Sequence, residues 1–268
     1  MKNDLHTQTY GDPANPPLVL LHGFMGRGES FSPVIPMLGE RYFVVTVDLP
    51  GHGRSLFSSM SKSQQPQNLP QAASMVLQSL DVLGMDSFYL YGYSMGGRVA
   101  QQVCLLSPER IKHLFLESAG QGIKNSEERN ARRTKDEALL ENIRTKEDFR
   151  QFLIAWHRLP LFRTLAQSPL LPGLLESKLK NNVRELQQAL RVMGVGTHPW
   201  FGQNLAGRSV PITYFFGEQD AKYKMEAAEA FKIIPRMRII PFPRASHNMH
   251  IQFPQEVVQA VFKAAALV

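Results

Sequence analysis

The sequence feature that most restricts the fold is the pentapeptide Gly92-Tyr93-Ser94-Met95-Gly96. It follows a short aromatic and apolar run, Ser-Phe-Tyr-Leu-Tyr, and precedes the helix-like run 97–103. A G-x-S-x-G sequence between a strand and a helix is typical of a nucleophile elbow, a turn so sharp that the serine hydroxyl projects alone above the sheet. The glycines have a steric reason, because Cβ atoms at these two positions would keep the strand and the helix apart. The pattern therefore predicts chemistry at Ser94.

Two later segments supply the acid and the base that a reactive serine needs. Residues 211–217 have the pattern of a buried strand ending in a glycine turn that presents Asp220, and residues 237–242 that of another strand, followed by a loop with His247. Serine, acid and histidine occur in this order in sites of this type. We expect Asp220 to hold the imidazole tautomer of His247, and His247 to take the Ser94 proton.

Three other histidines compete with His247 for the role of the base. His250 lies only three positions away, and His22 and His52 lie in loops that can face the same site. His247 is favoured because the catalytic histidine of such a site follows the last strand directly.

Two other acids compete with Asp220. Glu218 lies in the same turn, and Asp48 ends an earlier strand-like run. For Asp48 we expect a different role, in which its carboxylate braces the turn 49–53 by accepting hydrogen bonds from backbone amides.

Negative charge that develops on a substrate oxygen needs preorganised donors. In this type of site one donor is the amide after the nucleophile, here Met95, and the other comes from the loop after the first central strand. Residues 18–24 supply that strand and loop, so the second donor is predicted to be the amide of Phe24. The glycine spacing of 23–28 matches neither a dinucleotide fingerprint nor a P-loop.

Composition and charge narrow the classes of partner. The chain has 268 residues, of which 43% are hydrophobic, enough for one domain or for one domain with an insertion. Its single cysteine, Cys104, excludes an internal disulfide, and we find neither an apolar signal core at the N-terminus nor a run of membrane-spanning length. A net charge of +7 without a nucleic-acid motif favours small acidic ligands over nucleic acid. We expect a soluble cytoplasmic protein without membrane insertion, metal or cofactor, and the sequence does not determine its oligomeric state.

Strand-like and helix-like patterns alternate, which predicts an α/β fold with a mostly parallel sheet flanked by helices. The strand-like runs are 17–22, 42–47, 87–92, 112–117, 211–217 and 237–242, with a weaker one at 7–10. Between Gly120 and Arg208 the pattern becomes helical, charged and interrupted by prolines, and this stretch is too long for a simple crossover. We expect residues 121–208 to form a helical cap inserted into a core of residues 1–120 and 209–268.

Together these segments resemble the α/β-hydrolase fold family over nearly the whole chain. The shared motifs are His22-Gly23-Phe24, the run from Asp48 to Ser55, the Ser94 pentapeptide, Gly217-Glu218-Gln219-Asp220, and His247. Within that family the chain is most similar to the 2-succinyl-6-hydroxy-2,4-cyclohexadiene-1-carboxylate synthases of menaquinone biosynthesis. The stretches that carry this narrower resemblance are 92–98, 127–132, 156–162 and 190–199.

The narrower resemblance implies a carbon–oxygen lyase. Such synthases eliminate pyruvate from 2-succinyl-5-enolpyruvyl-6-hydroxy-3-cyclohexene-1-carboxylate, a small polycarboxylate. Loss of a proton next to the succinyl ketone expels the enolpyruvyl group, and no atom is attacked by a nucleophile. The triad would then act through Ser94 as a general base, with the developing enolate oxygen held by the amides of Phe24 and Met95.

The resemblance also implies which side chains bind the substrate. Arg98 lies one helical turn after Ser94 and can therefore point into the site. From the cap, Arg132 matches a carboxylate-binding arginine, with Arg129 as its near rival, and a guanidinium suits a carboxylate because it binds in a bidentate way. The remaining contacts are Tyr93, Trp156, which either lines the ring pocket or only packs in the cap, and Lys178, where some members have an arginine.

Three functions are compatible with these residues. The first is the pyruvate-eliminating synthase, the second a hydrolase of esters or vinylogous carbon–carbon bonds that uses the same triad with water. The third is a ligand receptor in which the triad binds a ligand or turns it over slowly. The basic residues favour a polyanionic ligand, although the charged stretch 124–137 also fits an ordinary solvated helix face.

Overall fold

A seven-stranded sheet organises residues 5–266, which are the residues described by the computed structural model. The strands are β1 (Thr7–Tyr10), β2 (Pro17–Leu21), β3 (Phe43–Val47), β4 (Phe88–Tyr93), β5 (Ile111–Glu117), β6 (Ile212–Gly217) and β7 (Arg238–Phe242). Their order is β1-β3-β2-β4-β5-β6-β7. Only the edge pair of β1 and β3 runs antiparallel, and the other pairs are parallel. The mostly parallel α/β sheet expected from the sequence is confirmed.

The central strands are continuous apolar runs because both faces of the sheet are covered. Strand β2 (PLVLL) and strand β3 (FVVTV) are buried except at their first residue, as is usual when helices pack on both sides of a parallel sheet. The buried apolar side chains fall into two clusters. The fold therefore has a helical layer on each face, with β4 near the middle of the sheet.

The helices of the described residues are α1 (Ile35–Leu38), α2 (Leu69–Val82), α3 (Met95–Leu106), α4 (Ser126–Ala138), α5 (Lys146–His157), α6 (Arg163–Ala166), α7 (Leu171–Lys178), α8 (Val183–Met193), α9 (Gly202–Ala206), α10 (Ala221–Ile233), α11 (Met249–Gln252) and α12 (Pro254–Ala265). Side chains of Asn68, Asn125, Thr145 and Asn182 accept the first free amides of α2, α4, α5 and α8. Such caps satisfy amides that have no partner within a helix and fix where it begins.

Helices α4 to α9, here called the cap helices, lie between β5 and β6 in the chain, within the stretch 121–208. They are tied to the sheet side of the molecule by polar contacts. The buried carboxylate of Glu185 on α8 accepts the amides of Phe57 at 2.6 Å and Ser58 at 3.1 Å, and Asn181 donates to the main-chain O of Met25 at 3.0 Å. The division at residues 120 and 208 into two domains stays a prediction.

Within residues 5–266, none of the helices combines the length and the apolar character needed to cross a bilayer.

Candidate active site

Ser94 occupies a strained turn between β4 and α3. Its φ of 52° and ψ of −109° lie in a region that residues with a side chain rarely adopt. The turn is possible because Gly92 and Gly96 have no Cβ. A Cβ on Gly92 would lie 2.6 Å from the main-chain O of Gly96, and one on Gly96 would collide with the main-chain O of Leu21. The steric reason expected for both glycines is therefore present in the fold.

His247 connects Ser94 to Asp220. Its Nε2 lies 3.0 Å from Ser94 Oγ, and its Nδ1 lies 2.8 Å from Asp220 Oδ2. Because a carboxylate only accepts hydrogen bonds, Nδ1 donates to Asp220 and Nε2 is free to accept from the serine hydroxyl. The second oxygen of Asp220 accepts the amide of Tyr223 at 3.2 Å, which fixes the acid at the start of α10. The arrangement matches the hydrogen-bond order of a serine triad.

Burial controls the charge of His247. The ring is 3% exposed, and its removal from water lowers its pKa, an effect that the hydrogen bond and the charge of Asp220 oppose. The imidazole is therefore neutral near pH 7 and able to accept a proton. Asp220, at 1% exposure, is shielded from solvent behind it.

The competing histidines have other partners. His22 donates from Nδ1 to the main-chain O of Gly23 at 2.8 Å and accepts the amide of Leu49 at 3.0 Å. His52 bonds the main-chain O of Pro50 and accepts the amide of Met25 at 3.2 Å. Burial lowers the pKa of His22 to about 3 and that of His52 well below its ordinary value. Both rings are thus neutral braces of the loop that follows β2.

Asp48 braces its turn as expected from the sequence. Its Oδ2 accepts the amide of Arg54 at 2.9 Å, and its Oδ1 accepts the amide of Gly28 at 2.7 Å. The carboxylate therefore ties the turn after β3 to the loop after β2, away from His247. His250 bonds Glu117 rather than Ser94.

A cavity of about 490 Å³ opens between the carboxyl ends of the strands and the cap helices. The residues that were predicted for the site and that line it are Phe24, Tyr93, Ser94, Met95, Arg98, Arg132, Trp156, Lys178 and His247. Trp156 also packs edge-on against Phe24, with 6.1 Å between ring centroids. It thus contributes to the cavity wall and to packing at once.

Arg98 is a buried cation at the cavity. Its side chain donates from Nη2 to the main-chain O of Met193 at 3.0 Å, while its buried Nε has no hydrogen-bond partner among the described residues. Burial lowers its pKa, but an arginine remains cationic at neutral pH. A buried charge without an acid partner is costly and is commonly retained to bind an anion.

The cap helices add two further predicted cations. Arg132 donates from Nε to Asp136 Oδ1 at 2.8 Å, so part of its guanidinium is already engaged. Lys178 stands at the end of α7, and burial, followed by the charge of Arg27, lowers its pKa to about 8.

Arg129 is the predicted residue that the structure does not bring to the cavity. Its Nη1 donates to the main-chain O of Ile123 at 3.1 Å, in the segment just before α4. Of the two arginines weighed for the same role, the structure places Arg132 and not Arg129 at the cavity.

Lys135 and Lys222, which were not among the predicted site residues, also line the cavity. Lys222 follows Asp220 by two positions in the first turn of α10, and Lys135 follows Arg132 by three on α4. The signal in the sequence that could have identified these lysines is their short spacing from Asp220 and Arg132. Together with Arg98, Arg132 and Lys178 they make five cations, against the single acid Asp136.

The chain is similar over nearly its whole length to several known proteins. A protein of Escherichia coli O1:K1 named 2-succinyl-6-hydroxy-2,4-cyclohexadiene-1-carboxylate synthase is 30% identical over 258 residues, covering 96% of this chain and 97% of the relative. A Yersinia pseudotuberculosis protein of the same name is 29% identical over 238 residues, covering 88% and 82%. The solved structure of MenH from S. aureus superposes with a TM-score of 0.87 at 28% identity, covering 97% of each chain.

More distant structures share the fold alone. The enol-lactonase from Burkholderia xenovorans LB400 has a TM-score of 0.79 at 19% identity and covers 98% of this chain and 96% of its own. The family model described as alpha/beta hydrolase fold matches residues 16–254. Because the match spans most of the chain and the sheet, the serine turn and the strand-end acid and histidine all fit it, the chain belongs to the α/β-hydrolase fold family.

Proposed function

We propose that the protein is a synthase of menaquinone biosynthesis that eliminates pyruvate from 2-succinyl-5-enolpyruvyl-6-hydroxy-3-cyclohexene-1-carboxylate. The observation that carries the proposal is a Ser94–His247–Asp220 chain opening on a cavity lined by five cationic side chains. A substrate with three carboxylates matches that excess of positive charge, whereas simple lipid esters do not. The name of the E. coli relative at 30% identity supports the same reaction.

In this reaction the triad acts as a base. Ser94 Oγ takes the ring proton next to the succinyl ketone while its own proton passes to His247 Nε2. The electrons shift through the ring double bond and break the carbon–oxygen bond to the enolpyruvyl group. The departing enolpyruvate then gains a proton, for which protonated His247 is the donor, and becomes pyruvate. Free serine is far too weak an acid to be ionised at neutral pH, so proton transfer is either concerted with His247 or strongly supported by the oxyanion hole.

The amides of Phe24 and Met95 are the proposed donors to the developing enolate oxygen. Met95 is the first residue of α3, where helix amides have no partner within the helix. Phe24 lies inside the turn closed by the hydrogen bond from the Gly26 amide to the Gly23 main-chain O. Both residues line the cavity. Donors fixed in this way stabilise negative charge without reorganising.

Pyruvate release by the purified protein tests the proposal. Wild-type protein should release pyruvate from the enolpyruvyl substrate, and Ser94→Ala, Asp220→Asn and His247→Ala should each lower kcat by about 10²- to 10⁴-fold. Melting temperatures within a few degrees of wild type would show that the variants are folded. Absence of pyruvate, together with rapid hydrolysis of a nitrophenyl ester, would favour a hydrolase of esters or vinylogous carbon–carbon bonds. Tight ligand binding without turnover would favour the receptor.

A further inference from the structure

Glu117 is a fully buried acid at the end of β5, next to the triad but outside the cavity lining. Its Oε1 accepts the amides of Met249 at 2.6 Å and His250 at 3.2 Å. Its Oε2 accepts His250 Nδ1 at 2.7 Å and a short hydrogen bond from the Tyr91 hydroxyl. Burying a carboxylate is costly unless its oxygens are satisfied, and here four donors converge on two atoms.

These contacts join the two halves of the reacting machinery. The main-chain O of Glu117 accepts the amide of Ser94 at 2.9 Å, so the same residue holds the serine turn. Its side chain holds Met249 and His250, which follow His247 by two and three positions. A link from β5 therefore connects a serine and a histidine that are 153 residues apart in the chain.

The ring of Tyr93 fills the space between the two histidines. Its centroid lies 5.3 Å from that of His247 and 4.8 Å from that of His250. Movement of His250 away from Glu117 would therefore disturb the packing of the base as well as its loop.

We propose that Glu117 is a positioning residue that locks the His247 loop against the Ser94 turn and stabilises the base once it is protonated. Among the described residues the His247 ring bonds Asp220 and Ser94 and not Glu117, so the second effect acts through the negative charge of Glu117. The inference rests on the triad assigned under the proposed function, but not on the identity of the substrate.

The groups facing His247 give the expected direction of the charge effect. Burial lowers the pKa of His247, whereas Asp220 raises it and Glu117 adds to that rise. Lys222 acts in the opposite direction. The rings of Tyr93, Tyr223 and Phe162 and the hydroxyl of Ser94 also lie against the imidazole.

Glu117→Gln separates positioning from simple stability, because the amide oxygen can still accept the hydrogen bonds of the two backbone amides. The charge is lost, and the NH2 group that then faces His250 Nδ1 and the Tyr91 hydroxyl cannot accept their hydrogen bonds. We expect kcat for pyruvate release to fall by about tenfold or more with KM within about twofold, since the base is misplaced and the substrate contacts are intact. The acid limb of the pH profile of kcat/KM should move to lower pH. Glu117→Asp, which keeps the charge, should leave that limb near its wild-type position.

Glu185→Gln is the matched control. Glu185 is also a buried carboxylate that accepts two backbone amides across more than 120 residues, but it does so at Phe57 and Ser58, outside the cavity lining. Its variant should lose thermal stability without any change in kcat or in the pH profile. The same outcome for Glu117→Gln, with a lowered melting temperature only, would overturn the proposal.

A readout without substrate separates this inference from the proposed reaction. The pKa of His247, followed by NMR and assigned with His247→Gln, should be lower in Glu117→Gln than in wild type. A lowered pKa supports the role of Glu117 even if wild-type protein releases no pyruvate, and an unchanged pKa contradicts the proposed stabilisation of the protonated base.

Discussion

At Arg98 a positive charge is held in the protein interior, and its hydrogen bond to the Met193 carbonyl does not neutralise it. We expect Arg98→Met to raise KM at least about tenfold, because a charged partner for a carboxylate is lost. The melting temperature should stay close to wild type, since loss of one hydrogen bond is offset by relief of a buried charge. Steady-state kinetics and calorimetry measure both effects.

Arg208→Met is the control for Arg98→Met. Arg208 also donates to a distant main-chain carbonyl, that of Leu105 at 3.2 Å, but it does not line the cavity. Its variant should keep the wild-type KM. A collapse of the melting temperature in Arg98→Met with unchanged KM would show that Arg98 is structural.

We expect Lys178 to make substrate binding dependent on pH. Its pKa in the folded protein is lowered to about 8, so the ammonium is charged below that pH and loses its charge as the pH rises through it. We expect KM to rise between about pH 7 and about pH 9, because the Lys178 ammonium that would bind a substrate carboxylate becomes neutral over this range. Lys178→Arg should remove the rise, because arginine stays cationic. A KM profile that is the same in both proteins would contradict this role.

At the scale of the element, the junction of β4 and α3 depends on the missing side chain of Gly96. Gly96→Ala places a methyl group against the main-chain O of Leu21 and His22, which belong to β2 and the loop after it. Backbone atoms cannot move aside cheaply, so we expect a loss of about 2 kcal/mol or more in the free energy of unfolding, together with lost activity. Denaturant unfolding measures this loss.

Gly173→Ala is the matched control for Gly96→Ala. Gly173 lies in α7, and a Cβ built there meets no atom within 4 Å. Because alanine has the higher helix propensity, this change should be neutral or stabilise by up to about 1 kcal/mol. Equal losses in both variants would show that the elbow is not sterically special.

The elements were predictable from the sequence to the extent that their signals are local. Strands β2 to β7 begin and end within two residues of the predicted runs, and the weakly supported edge strand 7–10 is present as β1. Continuous apolar runs ending in glycine turns identify such strands. The turn at Ser94 was also predictable, because the Gly92-Tyr93-Ser94-Met95-Gly96 pattern is local.

Contacts between distant segments were not predictable in this way. Glu117 gives no local signal, since its role depends on meeting His250 across 133 positions of the chain. The choice between Arg129 and Arg132 depended on side-chain direction, because Arg129 turns back to the carbonyl of Ile123. Lys222 could not be predicted as a site residue, because its position at the cavity depends on which face α10 turns toward it.

At the scale of the whole molecule, the chain has a net charge of +7, and five of its cationic side chains line the cavity. Attraction of a trianionic substrate should weaken with salt, so kcat/KM should fall as ionic strength rises from about 0.02 M to about 0.5 M, with kcat nearly constant. The double variant Lys135→Met, Lys222→Met should lose much of this dependence. Steady-state kinetics in a salt series measure it.

The control for the salt series is a second double variant that lowers the net charge by the same amount. Lys112 and Lys263 are exposed and do not line the cavity, so Lys112→Met, Lys263→Met should keep the wild-type salt dependence. If both double variants respond equally, the overall charge and not its placement attracts the substrate.

The location of the cap helices has a consequence for engineering. The proposed proton-transfer groups follow strands β4, β6 and β7. Arg132, Trp156 and Lys178 come from α4, α5 and α7, which lie in one stretch of the chain between β5 and β6. A library restricted to those helices would vary the ligand that is recognised while the reactive groups are inherited unchanged. New substrates should therefore be obtainable by exchanging one continuous piece of the gene.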